Sequence, residues 1–197
     1  IRRLYHFLGV DPQTGLYQFE DYNGDGVISA DNDRRAVKDF NPAFYGGIQN
    51  QFTYKGLQLD FLFQFVKQEN FTFANTQRYA GLLINQHAAY NDSWQQAGDA
   101  APYQLFTSGA NQAAMRASEQ FAFSDGAVGD ASFVRLKNIS LSYDLPAKYL
   151  SGIGCKFSLQ AQNLLTFTKF KGAHPEFTQG SALPPLRIVM AGIQVTF

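Results

Sequence analysis

The chain has 197 residues, a formal net charge of zero and a hydrophobic fraction of 45%. The neutral charge offers no basic footprint for nucleic acid, and this hydrophobic content excludes a disordered acidic tail. Aromatic residues make up 15% of the chain, with 19 Phe and 10 Tyr, and both types favour β-strands and the girdles of membrane barrels. The absence of any apolar run of about 18 residues excludes a transmembrane helix, but not a barrel, whose strands alternate.

Six segments have the composition or the alternation of β-strands. In chain order they lie at about 3–9, 44–54, 57–65, 132–143, 156–168 and 187–197. Between the second and third segments, Lys55-Gly56 is typical of a two-residue hairpin turn. In the fourth segment Arg135 and Lys137 break the alternation, which indicates either a β-bulge or charges near the water interface.

The final segment alternates most regularly. One face carries apolar residues and the other small or polar ones, namely Val189, Ala191, Ile193, Val195 and Phe197 against Gly192, Gln194 and Thr196. About ten alternating residues suffice for a tilted strand to cross a bilayer. The last strand of a soluble sandwich would give the same pattern, so this segment alone does not decide between them.

The connections between these segments alternate in length. Long loops are predicted at 10–42, 67–131 and 169–186, and short turns at 55–56 and 144–154. Outer-membrane barrels have long extracellular loops and short periplasmic turns. With the C-terminus in the periplasm, all three long loops would lie outside the cell.

The sequence therefore predicts an all-β fold, consisting of about six C-terminal strands of a large antiparallel transmembrane barrel. Six strands cannot close a barrel in lipid, because open sheet edges are not tolerated there. The first residues contain neither an apolar signal core nor an initiator Met. We therefore expect residues 1–197 to be the C-terminal portion of a longer chain, with a plug and N-terminal strands upstream.

The first long loop contains a calcium-loop motif of the D-x-[DN]-x-[DN]-G type. Its oxygen ligands would be the side chains of Asp21, Asn23 and Asp25 and the carbonyl of Val27, with a last acid at position 12. That position holds Asn, and Asp31 and Asp33 flank it, so either acid could complete a possible calcium site. A glycine-rich turn with solvated acids is the alternative.

The second long loop is aromatic and rich in amides. Its candidate substrate-binding residues are Tyr79, Tyr90, Trp94 and Tyr103. Aromatic faces with amide side chains suit sugar or peptide recognition. The simpler interpretation, which we favour at this point, is that these rings pack the loop.

No pattern of catalytic residues is present. His6, His87 and His174 lie in different segments without metal-ligand spacing, and the single Cys155 has no disulfide partner. The sequence lacks nucleophile, zincin and phosphate-loop signatures. We therefore predict a protein that is not an enzyme.

Several runs together resemble the SusC/RagA family of TonB-linked outer-membrane proteins. They are LGVDPQTG at 8–15, EDYNGDGVI at 20–28, NPAFYGG at 41–47, FTYKGL at 52–57, SFVRLKNISLSYDLP at 132–146, QNLLTFT at 162–168 and the terminal Phe197. The resemblance covers nearly the whole chain in order. The sequence departs from the family pattern in the spacing of the acids after Ile28. The family more often places the last acid of the motif one residue earlier.

The resemblance implies a plug inside a barrel of about 22 strands in the bacterial outer membrane. Such proteins import glycans or peptides with energy from the TonB complex, which contacts the upstream part. They pair with a SusD-like surface lipoprotein. Ile193, Val195 and Phe197 would form the signal that the barrel-assembly machinery reads before insertion into outer-membrane lipid.

Two other classes compete with the importer. A secreted calcium-dependent carbohydrate-binding β-sandwich would explain the Asp21 motif and the loop aromatics, but would not expose Phe-rich stripes. An enzyme built on a barrel scaffold would need a nucleophile and a base, and no such pair is recognisable.

Overall fold

The structure is a computed structural model that describes residues 1–146, 153–172, 174–177 and 183–197. The chain divides into two units. We call the first the mixed unit, which comprises Ile1–Asn41, Glu69–Asp130 and the described part of Phe170–Ala182. We call the second the strand unit, which comprises the described parts of Pro42–Gln68, Ala131–Lys169 and Leu183–Phe197.

The described residues form strands and short helices in the following order. They are β1 (Arg2–Leu4), β2 (Phe7–Val10), β3 (Tyr17–Phe19), α1 (Ala30–Asp33), β4 (Ala36–Lys38), β5 (Phe44–Tyr54), β6 (Leu57–Lys67), β7 (Glu69–Phe71), α2 (Phe73–Thr76), α3 (Gln112–Ala122), β8 (Val128–Asp130), β9 (Phe133–Leu145), β10 (Gly154–Thr168) and β11 (Ile188–Thr196). Two 3₁₀ turns lie at Ala88–Asp92 and Asp125–Ala127.

The strand unit is one antiparallel sheet with the order β11-β10-β9-β6-β5. Its strands are 9 to 15 residues long, which is the length that crosses a bilayer at a tilt. The prediction of an antiparallel, barrel-type sheet is confirmed.

The hairpin turn between β5 and β6 has the predicted two residues. Lys55 and Gly56 both have positive φ, of 47° and 84°, which is the conformation of the turns that match strand twist. Glycine is needed at position 56, because a Cβ there would lie 2.8 Å from the carbonyl oxygen of Asp144. Of the other predicted turn, at 144–154, residues 147–152 lie outside the described residues.

The irregularity predicted near Arg135 and Lys137 is a β-bulge. Leu62 pairs with Asn138, whereas Phe63 pairs with Leu136, so Lys137 is the extra residue. The bulge shifts the register by one residue, so that Val134 and Leu136 lie on the same face as Ile139, Leu141 and Tyr143.

The first predicted strand is not part of this sheet, which corrects the count of barrel strands in the described residues from about six to five. Segment 3–9 forms β1 and β2, which pair with β4 and β3 in the mixed unit. These strands have only three or four residues, which is too short to cross a bilayer.

The mixed unit contains most of the two predicted long loops at 10–42 and 67–131, and it has its own core. Phe121 on α3 stacks on Tyr17 with ring centroids 4.1 Å apart and meets Phe7 edge-on at 4.8 Å. Helix α3 is fixed at its start by the side chain of Asn111, which accepts a hydrogen bond from the N–H of Ala114. These segments are therefore folded around aromatic contacts rather than extended as simple loops.

No helix within the described residues is both long enough and apolar enough to cross a membrane.

Candidate functional site

The strand unit has one apolar and one polar face, and this arrangement is the main functional feature of the chain. Residues paired directly across an antiparallel sheet share a face. One continuous row across all five strands is Ile193, Phe157, Tyr143, Leu57 and Tyr54. All of these side chains are exposed, from 36% for Tyr143 to 70% for Ile193.

The row one residue along faces the other side and is polar. It consists of Gly192, Ser158, Ser142, Gln58 and Thr53. A sheet with an exposed apolar face and a polar face can separate hydrocarbon from water. In a soluble protein an apolar surface of this extent would be covered.

Among the described residues, β5 and β11 each pair on one side only. A sheet that crosses lipid cannot leave such edges open, because unpaired backbone groups are costly in hydrocarbon. Both edges therefore need further strands.

The connections leave the sheet at opposite ends according to their length. The pairs Phe44–Lys67 and Thr168–Phe133 place four strand ends at one end of the sheet, from which the long segments 68–132 and 169–187 leave. The pair Tyr54–Leu57 places the two-residue turn at the other end. The alternation of long and short connections is confirmed for these segments, and their extracellular location stays a prediction.

The predicted insertion residues lie on or just beyond β11. Ile193 pairs with Phe157 and Val195 with Cys155 on the apolar face. Phe197 follows the last residue of β11 and its side chain is fully exposed. A role in barrel insertion stays a prediction for these residues.

The Asp21 motif forms a tight loop closed by its own side chains. The carboxylate of Asp21 accepts hydrogen bonds from the N–H groups of Gly24, at 2.8 Å, and Gly26, at 2.7 Å. Asp25 accepts from the side-chain amide of Asn23 at 2.7 Å and from the N–H of Val27 at 2.8 Å. The bond from Val27 to Asp25 is an Asx-type turn, and the bonds to Asp21 hold the two glycines of the loop close to its first residue.

The two candidate acids for the last calcium position differ in their surroundings. Asp31 is exposed, whereas Asp33 is 1% exposed and accepts from the N–H groups of Tyr22, at 2.8 Å, and Ser29, at 2.7 Å. The bonds from Ser29 and Tyr22 lower the pKa of Asp33, because they stabilise the carboxylate.

Calcium binding by this loop stays a prediction. Asp33 already closes the loop onto itself through its two N–H partners. No group of three or more His, Cys, Asp or Glu in the described part of the chain is placed to hold a metal ion. The oxygen chemistry of the motif suits calcium, because Asp21, Asn23 and Asp25 offer side-chain oxygen atoms and Val27 offers its carbonyl.

The four candidate substrate-binding aromatics all take part in packing or internal hydrogen bonds. Tyr90 is 2% exposed and its hydroxyl donates to the carbonyl of Gln77, so a ligand at the surface would not reach its ring. Burial raises the pKa of the Tyr90 phenol. Tyr103 meets Tyr90 edge-on with centroids 5.1 Å apart.

The other two aromatics are partly accessible. Trp94 donates from its indole N–H to the carbonyl of Pro12 at 3.0 Å, and its ring covers Gly15. Tyr79 donates to the carboxylate of Glu119 at 2.7 Å, and this bond raises the pKa of the Tyr79 phenol. Substrate contact stays a prediction for Tyr79, Trp94 and Tyr103.

The mixed unit also contains a pocket that sequence reasoning missed. We call it the arginine pocket, because Arg34, Arg78 and Arg116 line it. These residues are up to 82 positions apart in the chain, so no local motif or spacing reveals that they meet.

Comparison with known proteins places these features in a family. The chain is 31% identical over 182 residues to TonB-dependent receptor P39 of Formosa agariphila, and 31% identical over 175 residues to receptor P3 of the same organism. These matches cover 85% and 86% of the chain, but only 16% of each relative. The chain thus spans about a sixth of the length of these curated relatives. No protein-family model matches the chain.

Solved structures of the RagAB peptide importer are also similar. The open-open state matches with a TM-score of 0.73 at 27% identity, and the closed-closed state with 0.74 at 28%. Each match covers 98% of this chain and 22% of the other.

A two-faced antiparallel sheet with this similarity is part of the wall of an outer-membrane β-barrel of the TonB-dependent receptor class. Within that class, the chain is similar to the RagAB peptide importer over 98% of its length, which agrees with the predicted resemblance to the SusC/RagA family. The predicted recognition and outer-membrane location are confirmed. The relatives are named as receptors and importers, which agrees with the prediction of a protein that is not an enzyme.

Proposed function

We propose that this chain forms barrel wall and connecting segments in a TonB-dependent importer of a nutrient across the outer membrane. The observation that carries the proposal is the separation of apolar and polar rows across the sheet, from Ile193 to Tyr54 on one face and from Gly192 to Thr53 on the other. This arrangement lets one sheet face lipid while the other faces water in an import channel.

We infer that the imported nutrient is a peptide or a glycan. The similarity to a peptide importer over 98% of the chain supports a peptide. The amide-rich segment around Trp94 would also suit a sugar, because partly accessible aromatic rings can stack on both ligand classes. Energy would come from the TonB complex.

We infer further that a SusD-like surface lipoprotein pairs with the importer. The similarity to the RagAB peptide importer supports this partner, together with the resemblance to the SusC/RagA family, whose members pair with such a lipoprotein. The barrel-assembly machinery would act earlier, on β11 and Phe197.

The first experiment is fractionation of the native cells, followed by blotting with an antibody to this segment. We expect a species several times larger than 22.0 kDa that leaves the outer membrane only in detergent, together with a co-purifying lipoprotein. A soluble 22.0 kDa species would contradict the importer and favour the secreted binding module.

The second experiment is uptake by a strain that lacks the gene. Labelled peptide mixtures and labelled oligosaccharides are supplied separately, and the complemented strain is the control. Loss of one uptake and retention of the other would identify the substrate class. Nutrient import would be contradicted if uptake of every substrate tried is unchanged and no lipoprotein co-purifies with the protein.

A further inference from the structure

The arginine pocket in the mixed unit has a volume of about 320 Å³. Arg34 follows α1, Arg78 follows α2 and Arg116 lies on α3, so three separate segments each contribute one arginine to the lining. Its walls also include the rings of Tyr5 and Phe123.

Arg34 is held over aromatic rings rather than against an acid. Its guanidinium carbon lies 4.9 Å from the ring centroid of Tyr5 and 5.2 Å from that of Phe123. Its Nε atom is buried and has no hydrogen-bond partner. A buried N–H without a partner is uncommon and costly, and it points to a ligand that would accept its hydrogen bond.

Arg78 lies against the same ring. Its guanidinium carbon is 4.9 Å from the centroid of Phe123, and its Nε donates to the carbonyl of Asn75 at 3.0 Å. Two positive charges therefore share one aromatic ring. Their mutual repulsion is unfavourable unless a negative group lies between them.

The acidic side chains near this cluster leave it with a net positive charge. None of the three arginines forms an ion pair within the described residues, and residues 147–152, 173 and 178–182 contain no Asp or Glu. Glu119 also lines the pocket and accepts the hydroxyl of Tyr79. A hydrogen bond from a neutral hydroxyl leaves the charge of a carboxylate in place, so Glu119 offsets one of the three arginine charges. The lining thus keeps an excess of positive charge.

We propose that the arginine pocket binds an oxyanion, a carboxylate or a sulfate-type group, on a small soluble ligand. The planar guanidinium fork matches the oxygens of such groups with two parallel hydrogen bonds. The ligand would occupy the unpaired Nε–H of Arg34 and relieve the repulsion between Arg34 and Arg78. The site lies within the mixed unit, and the proposal does not depend on which nutrient is imported.

The test is equilibrium binding of radiolabelled sulfate to the full-length protein in detergent, with acetate as a competitor and chloride holding the ionic strength constant. We expect one saturable site per chain. Displacement by acetate at low concentration would assign a carboxylate ligand, and resistance to acetate a tetrahedral one. Both outcomes support an oxyanion site.

Three substitutions locate the site. Arg34→Gln and Arg116→Gln each remove one charge from the pocket, and we expect sulfate affinity to fall by about tenfold in each, as for the loss of one charge-assisted hydrogen bond. Arg35→Gln is the matched control, because Arg35 is exposed and does not line the pocket. Arg116 is exposed on α3, so Arg116→Gln tests the proposal even where Arg34→Gln fails to fold.

Two results would overturn the proposal. One is the absence of saturable sulfate binding by the folded wild-type protein at tens of millimolar. The other is an equal loss of affinity in the Arg35→Gln protein and in the pocket variants, because that would indicate general charge attraction rather than a site.

Discussion

Phe65 on β6 lies directly opposite Gly46 on β5, and its ring covers the glycine. A Cβ atom at position 46 would lie 2.6 Å from the Cζ atom of Phe65. The same ring meets Phe44 edge-on, with centroids 6.4 Å apart. The glycine makes room for the ring, and the ring shields backbone that a glycine would otherwise leave bare on the apolar face.

This contact predicts energetic coupling between positions 46 and 65. Gly46→Ala should lower the free energy of unfolding by about 1–3 kcal/mol, because the methyl group displaces the ring. In Gly46→Ala/Phe65→Leu the loss should be smaller than the sum of the single losses, with a coupling of about 0.5 kcal/mol or more. Urea unfolding of the refolded full-length barrel measures all four proteins, and simple additivity would show that the ring does not cover the glycine.

The facing of β11 predicts an asymmetry between neighbouring residues. Ile193→Arg places a charge on the apolar face and should cost about 2–4 kcal/mol if the site faces mid-bilayer. Gln194→Glu is the control, because Gln194 pairs with Lys156 on the polar face, where a negative charge lies opposite a positive one, and we expect no loss of stability. Urea unfolding in lipid vesicles measures the free energy of unfolding of each variant. An unchanged value for Ile193→Arg would mean that the apolar face does not contact lipid.

Deletion of Phe197 should reduce the amount of folded barrel in the outer membrane. The side chain is fully exposed, so its removal costs no core packing and a defect would reflect recognition during insertion. Phe197→Tyr keeps a terminal aromatic ring and is the control. The readout is the heat-modifiable band on a gel, and equal amounts in the deletion and the control would contradict an insertion role.

The pKa of Asp33 predicts how the loop around the Asp21 motif responds to acid. Because the folded pKa is lowered by the N–H groups of Ser29 and Tyr22, the carboxylate stabilises the loop above the pKa of the unfolded chain, near 3.8. That contribution is lost as the pH falls through the lowered folded value. Asp33→Asn should therefore speed proteolysis of the loop at neutral pH. It should also abolish the rise in proteolysis rate that we expect for the unsubstituted protein below about pH 4.

The exposed Asp31 supplies the control for this prediction. Asp31 lies two residues before Asp33, and Asp31→Asn removes a solvated carboxylate. This change should leave the proteolysis rate and its pH profile nearly unchanged. Similar profiles for the two variants would show that the hydrogen bonds of Asp33 do not hold the loop.

Calcium binding by the Asp21 motif is tested by calorimetry on the intact protein. We expect heat on titration with calcium in the micromolar to millimolar range, and its loss in Asp21→Ala. Asp39→Ala is the control, because Asp39 lies outside the motif and accepts hydrogen bonds from Asn41. An absence of heat at millimolar calcium would favour the Asx-turn interpretation.

The strand unit could be predicted because its information is local. Alternation along each strand depends only on a two-residue period, and a two-residue turn such as Lys55-Gly56 leaves little freedom in the pairing of its neighbours. Even the bulge at Lys137 was visible as a break in that period. The mixed unit was missed for the opposite reason, since its strands have three or four residues and carry almost no periodic signal.

By itself, the sequence determined the antiparallel strands and which side chains share a face, because those properties depend on neighbours a few positions apart. The tertiary structure alone decided that the predicted loops fold around an aromatic core, that Tyr90 is buried there, and that Asp33 rather than Asp31 closes the Asp21 loop. It also decided that Arg34, Arg78 and Arg116 meet in one pocket. Contacts between distant segments depend on how the whole chain excludes water and satisfies its polar groups, and no short pattern in the sequence records that outcome.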